Sequence, residues 1–144
     1  MIPTVSPAAT VHKNYIDRQL LLNDLRKVKL EGISPEIVRP GRQLVYAYQT
    51  VSEALEWLSY YVQQSIVCWD IEVLNYETSC ISFSSEPDVA CVIPIAGRWT
   101  EDEEVLIWLG IQEVLGNPKS VKVGQNLIFD IQFLLARNGV EVKG

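Results

Sequence analysis

No stretch of this chain stays apolar and uncharged for the roughly 18 residues that a membrane-spanning helix needs, so no span is expected. The N-terminus, Met1 to Thr10, holds small side chains and two prolines but no basic cluster ahead of an apolar segment, which excludes a secretory signal. Cysteine is scarce: Cys68, Cys80 and Cys91 only. Their odd number and wide spacing match neither a disulfide framework nor a set of metal ligands. Each falls in a predicted strand, and all three are expected to be buried free thiols. That usage suits a reducing cytoplasm, the cell's own or that of a host. Positive charge is also short, with a net charge of −6. A protein that coats nucleic acid without specificity needs an excess of Lys and Arg.

What is present suits one domain with a short extension. A chain of 144 residues can bury a useful core, and 48% hydrophobic with 21% charged residues is an ordinary globular balance. The charge is uneven. Residues 1–43 carry seven Lys/Arg against four Asp/Glu, whereas the remainder carries five against fourteen. An acidic region can still act on a nucleic acid where bound divalent cations neutralise its site.

Residues 1–43 read as an N-terminal extension with one amphipathic helix. Asn14 is placed to cap a helix from Tyr15 to about Leu30, with Ile16, Leu20, Leu21, Leu25 and Val28 as its apolar stripe. Arg26, Lys27 and Lys29 near its end suit phosphate contact, helix-end charge or solubility equally. From residue 44 the pattern is denser. A short strand from Leu44 to Tyr48 precedes a helix from about Ser52 to Gln64, packed through Leu55, Trp57, Leu58, Tyr61 and Val62. Strands over Ser65–Val73, Thr78–Ser84 and Val89–Ile93, joined by short connections, predict an antiparallel meander. Thr100 and Glu103 form a capping box for a helix to about Leu115, and the acidic run Glu101 to Glu104 complements its dipole. A strand over Val121–Val123 leads through Gly124 to a helix from about Asn126 to Arg137, closed by Asn138-Gly139. Val140 to Val142 is expected to begin a further extended piece. The order predicts an α/β fold, a mixed sheet with helices packed on it.

The chemistry gathers in two segments. In Ile66-Val67-Cys68-Trp69-Asp70-Ile71-Glu72 the alternation of a strand sends Asp70 and Glu72 to one face, about 7 Å apart. Two carboxylates at the end of an apolar strand repel each other, and a pair of hard divalent cations would relieve them. Alone, the pattern equally describes a solvated sheet end. In Val123-Gly124-Gln125-Asn126-Leu127-Ile128-Phe129-Asp130, Asn126 and Asp130 are expected to share the first turn of a helix. Leu127, Ile131, Leu134 and Leu135 would pack inward while Asp130 looks toward the strand ends.

These two segments resemble the motifs of the DEDD-type 3′–5′ exonucleases, especially the proofreading domain of family A (Pol I-like) DNA polymerases. Asp70-Ile71-Glu72 is similar to the first motif, a strand ending in Asp-x-Glu. Gly124, Asn126 and Asp130 match the second, Gly-x-Asn-x-x-x-Asp. Between them, Cys91-Val92-Ile93-Pro94-Ile95 resembles the family's third strand. The likeness covers about residues 44–144. It implies a ribonuclease H-like sheet, an antiparallel meander plus a parallel strand, and hydrolysis of phosphodiesters from a single-stranded DNA 3′ end with two Mg²⁺ or Mn²⁺ ions about 4 Å apart. By the same resemblance Asp70 would bridge both ions, Glu72 would hold the one that activates water, and Asp130 would support the second. Asn126 would contact substrate or stand behind the ligands. Val73 takes the place of a frequent Thr, so a hydroxyl contact is lost there. Leu74 or Tyr76 would meet the terminal base, although a loop tyrosine is also an ordinary surface residue.

The resemblance also implies a third motif, with Tyr or His and a fourth carboxylate that orients the water. After Asp130 the only acid is Glu141, without that spacing, and the single histidine, His12, lies in the N-terminal leader. The chain is therefore expected to be the C-terminally incomplete front part of an exonuclease domain, from a stand-alone enzyme or from one with a polymerase domain in the same or another chain. By itself it should be a poor catalyst. The alternatives are a noncatalytic module of the same fold that binds single-stranded nucleic acid or a partner, and an RNA exonuclease similar to RNase D.

Overall fold

The computed structural model describes residues 15–33, 41, 43–46 and 50–144. The chain divides into two units, Met1–Pro40 and Gly41–Gly144. In the first, helix α1 spans Tyr15–Glu31. Gly32 closes it by donating its N–H to the Val28 carbonyl at 2.8 Å, and Lys27 pairs with Glu31 one turn on. The expected cap, Asn14, lies outside the described residues. Of the predicted stripe, Leu20, Leu25 and Val28 are exposed and Leu21 is half-buried, while the Ile16 side chain lies outside the described residues. No helix among the described residues is long and apolar enough to cross a membrane.

The second unit is built on five strands: β1 (Gln43–Tyr46), β2 (Ile66–Leu74), β3 (Glu77–Glu86), β4 (Val89–Pro94) and β5 (Val121–Val123). Their order in the sheet is β1-β4-β3-β2-β5. The three central strands form the expected antiparallel meander, and β1 and β5 add to it in parallel. Helix α2 (Val51–Val62) joins β1 to β2, α3 (Glu101–Gly116) joins β4 to β5, and α4 (Ile128–Asn138) follows β5. The two parallel pairings need such helical crossovers, whereas the meander turns tightly.

Local sequence explains each boundary. The Thr50 hydroxyl accepts from the N–H of Glu53 and starts α2. Thr100 and Glu103 form the predicted reciprocal box at the start of α3. Helix α4 ends at Gly139, whose φ of 68° is the left-handed conformation that costs glycine least. Along β2 the alternation is strict: Val67, Trp69 and Ile71 are buried, while Ile66, Cys68, Asp70 and Glu72 are exposed. The buried set meets Ile81 and Phe83 of β3, Cys91 and Ile93 of β4, and Leu58 and Tyr61 of α2 in one core. Each aliphatic side chain wholly buried there contributes roughly 1.5–3 kcal/mol.

The core explains why one cysteine reading fails. Cys91 is buried, but Cys80 is half-buried and Cys68 exposed, all three being free thiols. Cys68 has the parity of Asp70 and Glu72 and so points off the core. The piece expected from Val140 to Val142 joins no strand of the sheet. Val140 is buried, yet the chain beyond it bonds to α3 and its flank. Gln112 donates to the Glu141 carbonyl and accepts its N–H, and the Lys143 N–H reaches the Leu115 carbonyl.

The pairing of β2 with β3 is interrupted once. Glu72 stands opposite Cys80 and Val73 opposite Thr78, so Ser79 is an extra residue on β3. Such a bulge bends the strand and increases its twist. The carbonyl of Ser79 accepts from the N–H groups of both Ile95 and Ala96.

Candidate active site

Strand β5 pairs only with Ile66, Val67 and Cys68 of β2. Beyond Cys68 that side of β2 has no strand beside it. The chain leaving β5 turns there at Gly124, where a Cβ would stand 2.8 Å from the carbonyl oxygen of Trp69 and collide with the side chain of Leu127. Only glycine allows so close an approach. The turn leads into α4, whose first turn carries Asp130 within electrostatic reach of Asp70 and Glu72.

The three carboxylates differ in exposure. Asp70 and Glu72 are exposed on the outward face of β2, whereas Asp130 is only 6% exposed. Burial, and then the charges of Asp70 and Glu72, raise the Asp130 carboxyl above the usual carboxylate value. The groups therefore share one electrostatic neighbourhood with no described cation paired to any of them. Among the described residues no three His, Cys, Asp or Glu side chains converge closely enough to hold one ion as they stand. The donor set nonetheless fits Mg²⁺ or Mn²⁺: all its ligands are hard carboxylate oxygens, and a buried, uncompensated acid gains from a neighbouring cation.

Asn126 departs from expectation. Helix α4 begins at Ile128, and Asn126 precedes it with φ of 55°. It therefore does not share a helical face with Asp130, and no side chain caps the helix start. An asparagine tolerates the left-handed conformation better than most residues, which suits it to this turn. Leu135 is 55% exposed instead of packed, because α4 buries the Asp130–Leu134 edge and turns Leu135 away with Ile128 and Phe129.

The other predicted substrate contacts lie on the β2–β3 turn. Val73 is half-buried, while Leu74 and Tyr76 are well exposed. Leu74 pairs with Glu77, leaving Asn75 and Tyr76 as a two-residue loop with φ of 52° and 63°. Positive φ at both positions defines the tight hairpin turn that usually carries Asn-Gly, so a tyrosine there is strained by about 1 kcal/mol or more. A cleft of about 270 Å³ opens beside this turn, lined by Tyr76, Thr78, Trp108 and Arg137 among others, but none of the three carboxylates lines it. Sequence reasoning also missed Cys80. It sits opposite Glu72, and burial followed by the Glu72 charge pushes its thiol up. The even spacing of Cys80, Ser82 and Ser84, all half-buried on the face opposite Ile81 and Phe83, was the available signal.

A family model described as 3′–5′ exonuclease matches residues 45–144. The chain belongs to that family. Comparison with characterised protein sequences gives no match. Among solved structures, the exonuclease fold recurs in Trypanosoma brucei RNase D, at TM-score 0.59 and 16% identity over 70% of this chain and 36% of that one. The exonuclease domain of Aedes aegypti Nibbler aligns at TM-score 0.58 and 16% identity, over 76% of this chain and 52% of that one. The EXD2 exonuclease domain soaked in Mg aligns at TM-score 0.51 and 18% identity, over 70% and 54%. The chain thus spans about a third to a half of the length of these structures.

Proposed function

We propose that the Gly41–Gly144 unit hydrolyses phosphodiesters from the 3′ end of single-stranded DNA, as a proofreading exonuclease, with Asp70, Glu72 and Asp130 as its metal-holding residues. The observation that carries this reading is that the buried Asp130 carboxyl feels the charges of the exposed Asp70 and Glu72 on β2. Asp70 and Glu72 would hold the ions from the strand, and Asp130 would hold the second from α4. When bound, two Mg²⁺ or Mn²⁺ ions supply positive charge to the attacking and leaving oxygens. The protein's own part is to fix the carboxylates, to stack the terminal base on Leu74 or Tyr76, and to bring Asn126 near the backbone. A polymerase domain, in the same or another chain, is the partner this reading implies, and the cytoplasm is its setting.

An RNA substrate is the second reading. It is favoured by the repeated likeness to Trypanosoma brucei RNase D, including its complex with RNA U12. One assay separates the readings: release of nucleotides from 3′-labelled single strands of DNA and of RNA, with Mg²⁺ or Mn²⁺. The proposal expects metal-dependent release from DNA that Asp70→Ala abolishes. Preferential release from RNA would transfer it to the second reading. Absence of Mn²⁺ binding, with DNA binding untouched by Asp70→Ala, would leave a noncatalytic module instead.

A further inference from the structure

At the sheet edge away from β5, α2 carries an acidic and aromatic groove that the nuclease reading does not use. It is an open, shallow depression of about 470 Å³ between Gln43 of β1, Glu56, Trp57 and Tyr60 of α2, Glu86 at the end of β3, and Val89 at the start of β4. A second depression, of about 480 Å³, shares Glu56 and Tyr60 and runs on toward Ser59 and Gln63. Together they make a trough that crosses the helix.

The trough is ordered and its charge has one sign. The Trp57 and Tyr60 rings stand 5.8 Å apart at 82° to each other, forming an angular wall. The hydroxyl of Tyr60 donates to Glu86 at 2.9 Å and accepts from the Ser85 hydroxyl, which fixes both the ring and the carboxylate. Among the described residues neither depression is lined by a Lys or Arg, and Glu56 and Glu86 take part in no ion pair. A cation beside an aromatic face and two carboxylates gains from the ring quadrupole and from direct pairing. Phosphate is repelled by the same two carboxylates, which favours a cationic occupant over a nucleic acid or an anionic membrane.

We propose that this trough docks a basic peptide segment of a partner protein, with a Lys or Arg head between Glu56 and Glu86 and its methylene stem on Trp57 and Val89. The charge complementarity of the lining commits the site to that class. Its position makes it independent of the chemistry. Leu58 and Tyr61 of α2 pack on the core side of the sheet, where Trp69 and Ile71 are buried, while Asp70 and Glu72 point off the opposite face. A partner could therefore be held while the nuclease face stays open.

The test uses the full chain and fluorescein-labelled lysine-rich and arginine-rich peptides, with an acidic peptide as control, read by fluorescence polarisation. Glu56→Gln with Glu86→Gln should weaken binding of the basic peptides about tenfold, because each removes one direct charge partner. Glu101→Gln with Asp102→Asn makes the same change in net charge at the exposed start of α3. It should leave the affinity unchanged. Nuclease activity on a 3′-labelled strand should be equal in both double variants, so failure of the docking proposal and of the catalytic one are separately visible. Equal weakening by the two double variants, no weakening by either, or displacement of the peptide from the trough by an oligonucleotide would each overturn the proposal.

Discussion

Substituting alanine for Gly124 is the sharpest single probe of how the fold makes the site. The added Cβ would lie 2.8 Å from the Trp69 carbonyl oxygen, a backbone atom of β2 just past its pairing with β5, and would overlap the Leu127 side chain. Leu127 can rotate, but the carbonyl cannot move without β2. The turn must instead lift away, at a cost of about 1–3 kcal/mol, the usual range for overpacking. Asp130 rides on the helix that this turn starts, so a lift of about 1 Å at the turn should cost up to a hundredfold in rate. Gly110→Ala is the matched comparison. There the new Cβ meets the tip of the Leu58 side chain at 2.8 Å, and alanine gains about 1 kcal/mol of helix propensity. It should be near neutral. Urea unfolding gives the stability change, and Mn²⁺ titration gives the affinity of the site. A Gly124→Ala protein with unchanged stability and unchanged Mn²⁺ affinity would refute the reasoning.

Asp130→Asn tests the electrostatics. Because the folded carboxyl value is raised, the metal-free protein bears no penalty in acid. A destabilising contribution then grows as pH rises from the ordinary carboxylate range through the raised value. The variant should lose that slope in melting temperature, and Mn²⁺ should stabilise the wild type more than the variant; identical slopes would contradict the assignment. Asp70→Asn and Glu72→Gln alter exposed groups and relieve the repulsion on Asp130, so melting temperature should hold or rise slightly near neutral pH while metal-dependent nuclease activity is lost. Thr100→Ala removes the side-chain half of the α3 capping box and should cost about 1 kcal/mol in urea unfolding, with no change in Mn²⁺ affinity.

The elements read most clearly where local chemistry and tertiary demand agree. The capping box at Thr100, the stop at Asn138-Gly139 and the alternation through β2 all depend on neighbours in sequence, and each is found where the pattern places it. The Asp70–Glu72 pair was legible for the same reason. What failed depended on partners remote in sequence. Cys68 resembles a core residue until the face of β2 is fixed by Trp69 and Ile71. Leu135 resembles an inward residue until packing fixes the rotation of α4, which buries the Asp130–Leu134 edge and leaves Leu135 outside. The burial of Asp130 likewise comes from the close approach at Gly124, which the sequence marks only as a glycine in a turn.

The extra residue at Ser79 bears on how this hairpin tolerates change. Removing it would leave Glu72 opposite Cys80 and Val73 opposite Thr78, with Leu74 still meeting Glu77 across the same two-residue loop. No side chain would switch from one face to the other. In terms of parity the residue is silent. Its loss would instead straighten the ribbon beside the carboxylates and strand the amide donors of Ile95 and Ala96, which now share its carbonyl. A one-residue deletion there would thus spare the core and spoil the aim of the site, an error of direction with almost no signature in hydrophobic pattern.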